Sequence, residues 1–575
     1  MQNNGFRRKR RIWLTIFILA AIILSLWSWF RISININPPA VADRSSDTLK
    51  VIKLTDEMSR CGQSWLKKDS SGLWLMYLKG SPYQCGLTNG RLARNLIYTQ
   101  EKAFISQIRK MIPSDFYLHF LRYFIYWFNR DLDTYVPLEY KQEIFGVSRS
   151  ASDDFAFIGN NYQRMLNYHS AHDIGHALEQ LSLVGCTSFA AWGNSSADGS
   201  LILGRNFDFY MGDEFARNKI VCFEQPDSGH AFMMVTWGGM IGAVSGMNEE
   251  GLTVTINAAR SKIPLSARTP ISLLAREILQ YASTVYEAYA IAEKRHTFVS
   301  ESLLIGSAKD GRAAIIEKSP FKTALLQPKG TTVLCTNHFQ SADFAGDSLN
   351  QQNIRSGTSL YRMRRLREDM NLQAPLNVEK AAWILRDRAG LKGRDIGLGN
   401  EKAMNQLIAH HSVIFMPSRL LVWVSTGPWQ LGAYKCFDLR KIFHNFAPSD
   451  QGMEIDETAK AIQPDIFLKS NGYKAFIEFR SMKRILFNCI KSGSKLTNES
   501  SFVSAFIHTN PGYYESWFLA AEYFYRMKKT ALARSYYYKA LQCEVPAMQE
   551  KQKIIRRIAE CSAGLKRNYS LNKDR

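Results

Sequence analysis

A chain of 575 residues that is 46% hydrophobic and 12% aromatic carries enough apolar surface for more than one buried core, which excludes a disordered protein and predicts two or three folded units. Lys and Arg outnumber Asp and Glu by 73 to 51, a formal net charge of +22. No zinc-finger spacing, RNP-type aromatic motif or long basic block in the soluble part accompanies that charge. It therefore reads as a solvated basic surface suited to anionic lipid headgroups, with no nucleic acid as partner.

Residues 12–30 (IWLTIFILAAIILSLWSWF) form an uncharged apolar run of 19. At about 1.5 Å per residue this spans a hydrocarbon core of about 30 Å. The tail 1–11 holds Arg7, Arg8, Lys9, Arg10 and Arg11, a cluster that keeps this end cytoplasmic and predicts an extracytoplasmic bulk, periplasmic or extracellular. Trp13, Trp27 and Trp29 stand near the ends of the run, where indole rings favour the interface. A cleaved signal peptide competes, because Ala40-Val41-Ala42 has the small-x-small form of a cleavage site. The apolar run is longer than a usual signal core and ends well before Ala42, which favours a signal anchor: a single-pass membrane protein.

Residues 31–48 carry Pro, Ser and Asp without helical periodicity and read as a linker. From 49 to 185 the pattern is mainly helical, and the aromatics of 101–128 at helical spacing read as core. At Cys186 the pattern changes to short β-rich runs: CTSFAAW, LILGRNF, IVCFE, AFMMVTW, GAVSGM and LTVTINA, separated by turn chemistry such as NSSADG and NEEG. Helices are predicted at 269–282 and 283–295, then strands at SLLIGSA, RAAIIEK, TTVLCTN, HSVIFM and LLVWVS. That order predicts packed sheets covered by helices over 186–443. Residues 444–575 return to helix. Trp517, Ala520, Ala521, Phe524, Ala533, Tyr537 and Ala540 fall at tetratricopeptide-repeat spacing near 514–547, which also fits an ordinary helical hairpin. This extension either offers a surface for a protein partner or covers the enzyme domain.

Nine cysteines in an exported chain permit disulfides, with Cys61 and Cys85 as a candidate pair. No CxxC and no Cys/His zinc spacing occurs, and the reading requires neither metal nor cofactor. If the NSSADG turn centres between Ser196 and Ala197, antiparallel pairing sets Cys186 opposite Phe207 and brings Arg205 and Asp208 to the same hairpin end. A thiol near an arginine is biased towards thiolate, and a neighbouring carboxylate can orient it or move its proton. By spacing alone, a salt-bridged hairpin around a structural cysteine is the preferred reading.

The wording of the segments adds to this. GCTSF followed by GRNFD resembles the cysteine N-terminal-nucleophile (Ntn) hydrolases of the penicillin acyltransferase and choloylglycine hydrolase type. GSPYQCGLTNG (80–90), NEEGLTVTINA (248–258), TNHF (336–339), SLYRMRRL (359–366) and STGP…FDL (425–439) resemble further segments of that family in the same order. The resemblance implies an α+β fold, a four-layer αββα sandwich, here preceded by a transmembrane helix and followed by an all-α tetratricopeptide-like extension. It implies acyl transfer, as hydrolase or acyltransferase, on a small-molecule acyl amide or acyl donor. It also implies autocatalytic cleavage between Gly185 and Cys186, turning a zymogen into an enzyme with Cys186 as nucleophile. Residue by residue, Arg205 and Asp208 match the Arg and Asp of the GRNxD segment, Asn257 the oxyanion asparagine, Asn337 a second asparagine and Arg362 a late arginine. Arg362, with Arg364 and Arg365, also fits a solvated helix face. Two rival readings remain: a Cys-His thiol hydrolase using His176, His338 or His411, and a catalytically silent membrane protein that holds a partner with its C-terminal helices.

Overall fold

A computed structural model describes residues 3–112, 114–177, 185–264, 266–445 and 455–573. Two sheets organise it. The larger has eleven strands, running from edge to edge as Val51–Lys53, Met58–Cys61, Ser64–Lys68, Trp74–Gly80, Ile220–Pro226, Phe232–Thr236, Ser245–Asn248, Leu252–Ala258, Glu301–Ser307, Arg312–Lys318 and Thr323–Leu326. The smaller has six: Thr332–Cys335, Thr187–Gly193, Gly199–Phe207, His411–Met416, Leu421–Ser425 and Tyr434–Asp438.

Side-chain alternation along these strands builds the layers. In the smaller sheet Leu203, Val413 and Val422 face the larger sheet, where Met233, Leu304 and Ile315 meet them in a dry inter-sheet core. One residue along, Ile202, Ile414 and Trp423 face outward and are covered by Leu366, Ala382 and Leu385 of the helices Ser359–Gln373 and Val378–Leu385. The far face of the larger sheet is covered by the helices Pro82–Leu92, Ile271–Tyr281 and Val285–Lys294. The order is helix, sheet, sheet, helix. Local chemistry starts the covering helices where they are needed. Ser81 caps a helix that has Pro82 in its first turn, and Thr284 forms a reciprocal capping box with Glu287. Burial of Leu273, Leu274, Ile278 and Leu279 fixes the helix Ile271–Tyr281 to its sheet, each side chain contributing about 1.5–3 kcal/mol.

Several expectations change. The helical pattern of 49–185 holds for the helices between Pro82 and Ala177, but residues 51–80 supply four strands of the larger sheet. The fourth, Trp74–Gly80, pairs in parallel with Ile220–Pro226, so its partner lies far along the chain and leaves no local signature. The aromatics of 101–128 are not simply core: in the helix Asp115–Phe128, Phe116, Phe120 and Phe124 are exposed. The same helix packs Tyr123 and Trp127 on Trp27, Trp29 and Phe30 at the end of the N-terminal helix Asn3–Ser33. That N-terminal helix is long and apolar enough to cross a membrane over Arg10–Ser33, and the rest of the chain does not cover it. The segment after it is not a free linker, because Ile34 and Ile36 are buried and Gln163 donates to the Ile34 carbonyl at 2.6 Å. Cys61 and Cys85 carry free thiols, that of Cys85 donating to the Gly80 carbonyl.

Beyond Asp438, residues 455–462 still bridge to the smaller sheet at Phe437 and Tyr434. The chain then forms the helices Asn471–Ser492, Glu499–Thr509, Tyr514–Arg526, Thr530–Gln542 and Met548–Lys573. Tyr514–Arg526 and Thr530–Gln542 form a hairpin that buries Ala520, Ala521, Phe524, Ala533, Tyr537 and Ala540, while Trp517 stays at its rim against Tyr536.

Candidate active site

The hairpin Thr187–Gly193/Gly199–Phe207 has the register expected from its turn, with Thr187 opposite Asn206, Ser188 opposite Arg205 and Ala191 opposite Ile202. A bulge between Ala191 and Gly193 absorbs one residue near the turn, and Asp198 closes the loop by accepting from the Ser200 N–H. At the open end of this hairpin lie Gly185, Cys186 and Asp208, all buried.

Arg205 spans the space between the sheets. Its Nη1 donates to the Val244 carbonyl at 2.6 Å and to the Ser245 hydroxyl; its Nη2 donates to the Ile256 carbonyl at 2.5 Å and stands 3.6 Å from Cys186 Sγ. Burial pushes the Cys186 thiol up, and the Arg205 charge opposes that. Asp208 is fully buried, and neither carboxylate oxygen has a hydrogen-bond partner among the described residues. Burial raises its carboxyl to about 7, against the pull of Arg362 and Arg205.

Asn257 and Asn337 join from the strand end and loop above the nucleophile. Asn257 Oδ1 accepts from Ser188 Oγ at 2.9 Å and its Nδ2 donates to the Cys335 carbonyl at 3.2 Å. Asn337 Nδ2 donates to the Ala258 carbonyl at 2.9 Å, and its Oδ1 accepts from Arg362 Nη2 at 2.6 Å. Arg362 is buried, unlike the solvated face that its neighbourhood also fitted; its Nη1 donates to the Cys186 carbonyl at 2.7 Å and to Thr187 Oγ1 at 2.9 Å. The six named residues thus meet in one buried cluster, linked through Cys186, Arg362, Asn337 and the strand Leu252–Ala258.

Three polar groups of this cluster went unrecognised in the sequence. Glu301, paired with Ala258 across the ladder, is buried with neither oxygen hydrogen-bonded among the described residues, and burial holds its carboxyl well above the ordinary range. A carboxylate opening the otherwise apolar strand ESLLIGS was the available signal. Ser245 ties Arg205 to His411, whose Nε2 lies 2.8 Å from Ser245 Oγ and whose Nδ1 lies 2.8 Å from His410 Nδ1. Gln406 donates from Nε2 to the Gly185 carbonyl at 2.9 Å, and no local pattern marked it.

Of the candidate histidines, the two whose side chains lie among the described residues, His338 and His411, do not pair with Cys186. His338 Nδ1 is held by Ser359 Oγ at 2.7 Å, and burial lowers its pKa to about 4. His411 is separated from Cys186 by Ser245 and Arg205, and burial holds it well below its ordinary value. The side chain of His176 lies outside the described residues.

A family model described as acyl-coenzyme A:6-aminopenicillanic acid acyl-transferase matches residues 195–404. That stretch contains Arg205, Asp208, Asn257, Asn337 and Arg362 and begins after Cys186. The chain is similar to the N-acylethanolamine-hydrolyzing acid amidase of Caenorhabditis elegans, with 23% identity over 243 residues, 39% of this chain and 62% of that protein. It is also similar to protein dcd1B of Dictyostelium discoideum, with 23% identity over 270 residues, 44% of this chain and 51% of that protein. The chain spans between about half and three-fifths of the length of the curated relatives it matches. Among solved structures, the C. elegans ortholog of that amidase aligns at 16% identity and a TM-score of 0.29, covering 40% of this chain and 93% of that one. A mutant form of conjugated bile acid hydrolase from Clostridium perfringens aligns at 12% identity and a TM-score of 0.31, covering 44% of this chain and 93% of that one.

Proposed function

We propose that the chain is a membrane-anchored cysteine Ntn hydrolase that cuts itself between Gly185 and Cys186 and then cleaves, or transfers the acyl group of, a small-molecule acyl amide. The observation that carries this reading is the approach of the Arg205 guanidinium to 3.6 Å from a buried Cys186 thiol, beside a carboxylate, Asp208, that has no hydrogen-bond partner among the described residues. Purely structural buried charges are normally paired, and perturbed unpaired ones collect where protons move.

Cutting at Cys186 frees an α-amine with a pKa near 8, so one residue supplies both nucleophile and base. The thiolate, favoured by Arg205, attacks the acyl carbonyl. Its proton passes to the α-amine and on to the leaving amine, and water or another acceptor releases the acyl group from sulfur. Asn257 stands as oxyanion donor, Arg362, itself held by Asn337, holds the Cys186 carbonyl, and Asp208 orients the amine. A largely apolar cavity lined by Phe104, Phe209, Phe215 and Trp237, with Gln100 and Glu101 also on its wall, includes the residue next to Asp208 and suits an apolar acyl group that carries a polar end. The acyl-amide chemistry for which the C. elegans amidase is named agrees with such a cavity. The uncovered apolar helix, with exposed Phe116, Phe120 and Phe124 on the helix packed beside its end, supports a body held against a bilayer on its extracytoplasmic side.

Intact mass and N-terminal sequencing of the detergent-purified chain test the reading. Two fragments are expected, the second beginning at Cys186, with turnover of an N-acyl amide. Cys186→Ala is expected to stay whole, to melt with the wild-type protein and to lose all turnover. A wild-type chain that is folded, uncut and inert would instead favour the silent partner-binding protein.

A further inference from the structure

The peptide on either side of the scissile bond is pinned at three atoms. The Gly185 N–H donates to the Asp208 carbonyl at 3.0 Å, the Cys186 carbonyl accepts from Arg362, and the Gly185 carbonyl accepts from Gln406 Nε2 at 2.9 Å. Gln406 is 3% exposed and has no part in the reaction described above. Its amide also occupies the space of a side chain at position 185: a Cβ there would lie 2.3 Å from Nε2 and 2.6 Å from Oε1. A glycine before the nucleophile therefore lets a buried amide donor lie directly against the carbonyl to be cut.

We propose that Gln406 is the oxyanion donor for cleavage of Gly185–Cys186, and that the C-terminal helices hold it in place. The inference rests on the self-cleavage reading and assigns that step its own residue. When Cys186 Sγ bonds to the Gly185 carbonyl carbon, the π pair moves onto the Gly185 oxygen, where Gln406 Nε2–H meets it. The thiol proton ends on the Cys186 nitrogen as the C–N bond breaks, leaving a thioester and a free α-amine. Water then adds to the thioester, giving the Gly185 carboxylate and restoring the thiol.

The placement of Gln406 depends on the extension. Leu407 is in the left-handed region at φ 56°, with its N–H held at 3.0 Å by Asn405 Oδ1, while the Asn405 N–H donates to the Asp387 carbonyl at 2.7 Å. Upstream, Asn510 brackets Leu398, accepting from its N–H at 3.0 Å and donating to its carbonyl at 2.8 Å. Asn400 donates to the Glu544 carbonyl at 2.9 Å, and Lys402 pairs with the Glu544 carboxylate at 2.5 Å. Gly397, at φ 79°, comes so close that a Cβ would sit 2.3 Å from the Tyr513 main chain. The helical extension, which the sequence left as either a partner surface or a cover for the enzyme domain, thus braces the loop that aims a donor at the cleavage bond.

The test follows cleavage of the full-length chain over time after cell-free synthesis into lipid nanodiscs, with Cys186→Ala as the uncut reference. Gln406→Met is expected to slow cleavage about 10²- to 10³-fold, the loss seen when one oxyanion donor is removed. Gln406→Glu is expected to be equally slow at alkaline pH and to regain rate, relative to wild type, as pH falls into the carboxyl range, because only the neutral acid can donate. Cleavage of folded Gln406→Met at the wild-type rate would overturn the proposal while leaving self-cleavage intact. If Gln406→Met does not fold, the Glu variant decides: recovery at low pH supports the donor role, and a pH-independent ratio to wild type overturns it. A wild-type chain that never cleaves removes the self-cleavage reading itself, and this assignment with it.

Discussion

Two of the buried charge clusters among the described residues are built on opposite principles. Arg276, on the helix Ile271–Tyr281, is bracketed by Glu224 at 2.7 Å and Glu143 at 3.3 Å and also donates to the Ile241 carbonyl. Burial works against its charge, but the two carboxylates overcome it and raise its pKa. Around Cys186 the arginines spend their donors on carbonyls, two hydroxyls, an asparagine and the Cys186 sulfur, and burial lowers the pKa of both Arg205 and Arg362. The carboxylates of Asp208 and Glu301 are left without hydrogen bonds among the described residues. The first cluster ties a helix that precedes the cleavage site, through Glu143, to the core. The second leaves hydrogen-bond-unsatisfied carboxyl groups at the nucleophile. A buried carboxylate bound to a cation holds structure together; one left bare costs stability and can take up or give a proton near neutral pH.

The two clusters are expected to fail differently. Removing the cation of the paired cluster is the most damaging change. Arg276→Leu leaves Glu143 and Glu224 buried without a partner and is expected to cost about 3–5 kcal/mol, read as a large drop in denaturation midpoint. A variant as stable as wild type would break the distinction.

At the bare cluster the sign reverses. The folded Asp208 carboxyl titrates near 7, above its ordinary value of 3.8, so the stability it contributes is fully present below about 3.8 and is lost as pH rises through about 7. Asp208→Asn cannot ionise. It is expected to melt higher than wild type, with a gap that opens between about pH 4 and pH 7, levels off above, and reaches a few kcal/mol. Its turnover is expected to be lost. Parallel pH–stability curves for the two proteins would show that Asp208 is not bare in solution. The smallest effect is expected at the brace: Asn510→Ala removes the bracket on Leu398, costs about 1–3 kcal/mol in local stability, and slows chain cleavage less than Gln406→Met. Hydrogen exchange at the Leu398 amide reads the first effect, and the cleavage time course the second.

Part of this was legible in the sequence because it is local. The NSSADG turn and the alternation on either side of it fix the hairpin register, and that register sets Arg205 opposite Ser188 and carries Cys186 to the end that holds Asp208. The strands from Cys186 onward have their own turn chemistry, and most were placed to within a residue or two. The first four strands were not, since their place in the larger sheet depends on Trp74–Gly80 meeting Ile220–Pro226 in parallel. The exposed face at Phe116, Phe120 and Phe124 was misread for a related reason: helical spacing shows that aromatics share a face, not what that face meets.

The site divides in the same way. The order of segments along the chain, through the resemblance it carries, brought Cys186, Arg205, Asp208, Asn257, Asn337 and Arg362 forward as candidates. Which carboxylate stays bare, which histidine is walled off from the thiol, and which amide reaches the Gly185 carbonyl were decided by contacts between residues far apart, Gln406 lying 221 positions from Gly185. Charge state and hydrogen-bond pairing depend on burial and on partners. Both arise only when the two sheets close on each other and the C-terminal helices dock against the loop that carries Gln406.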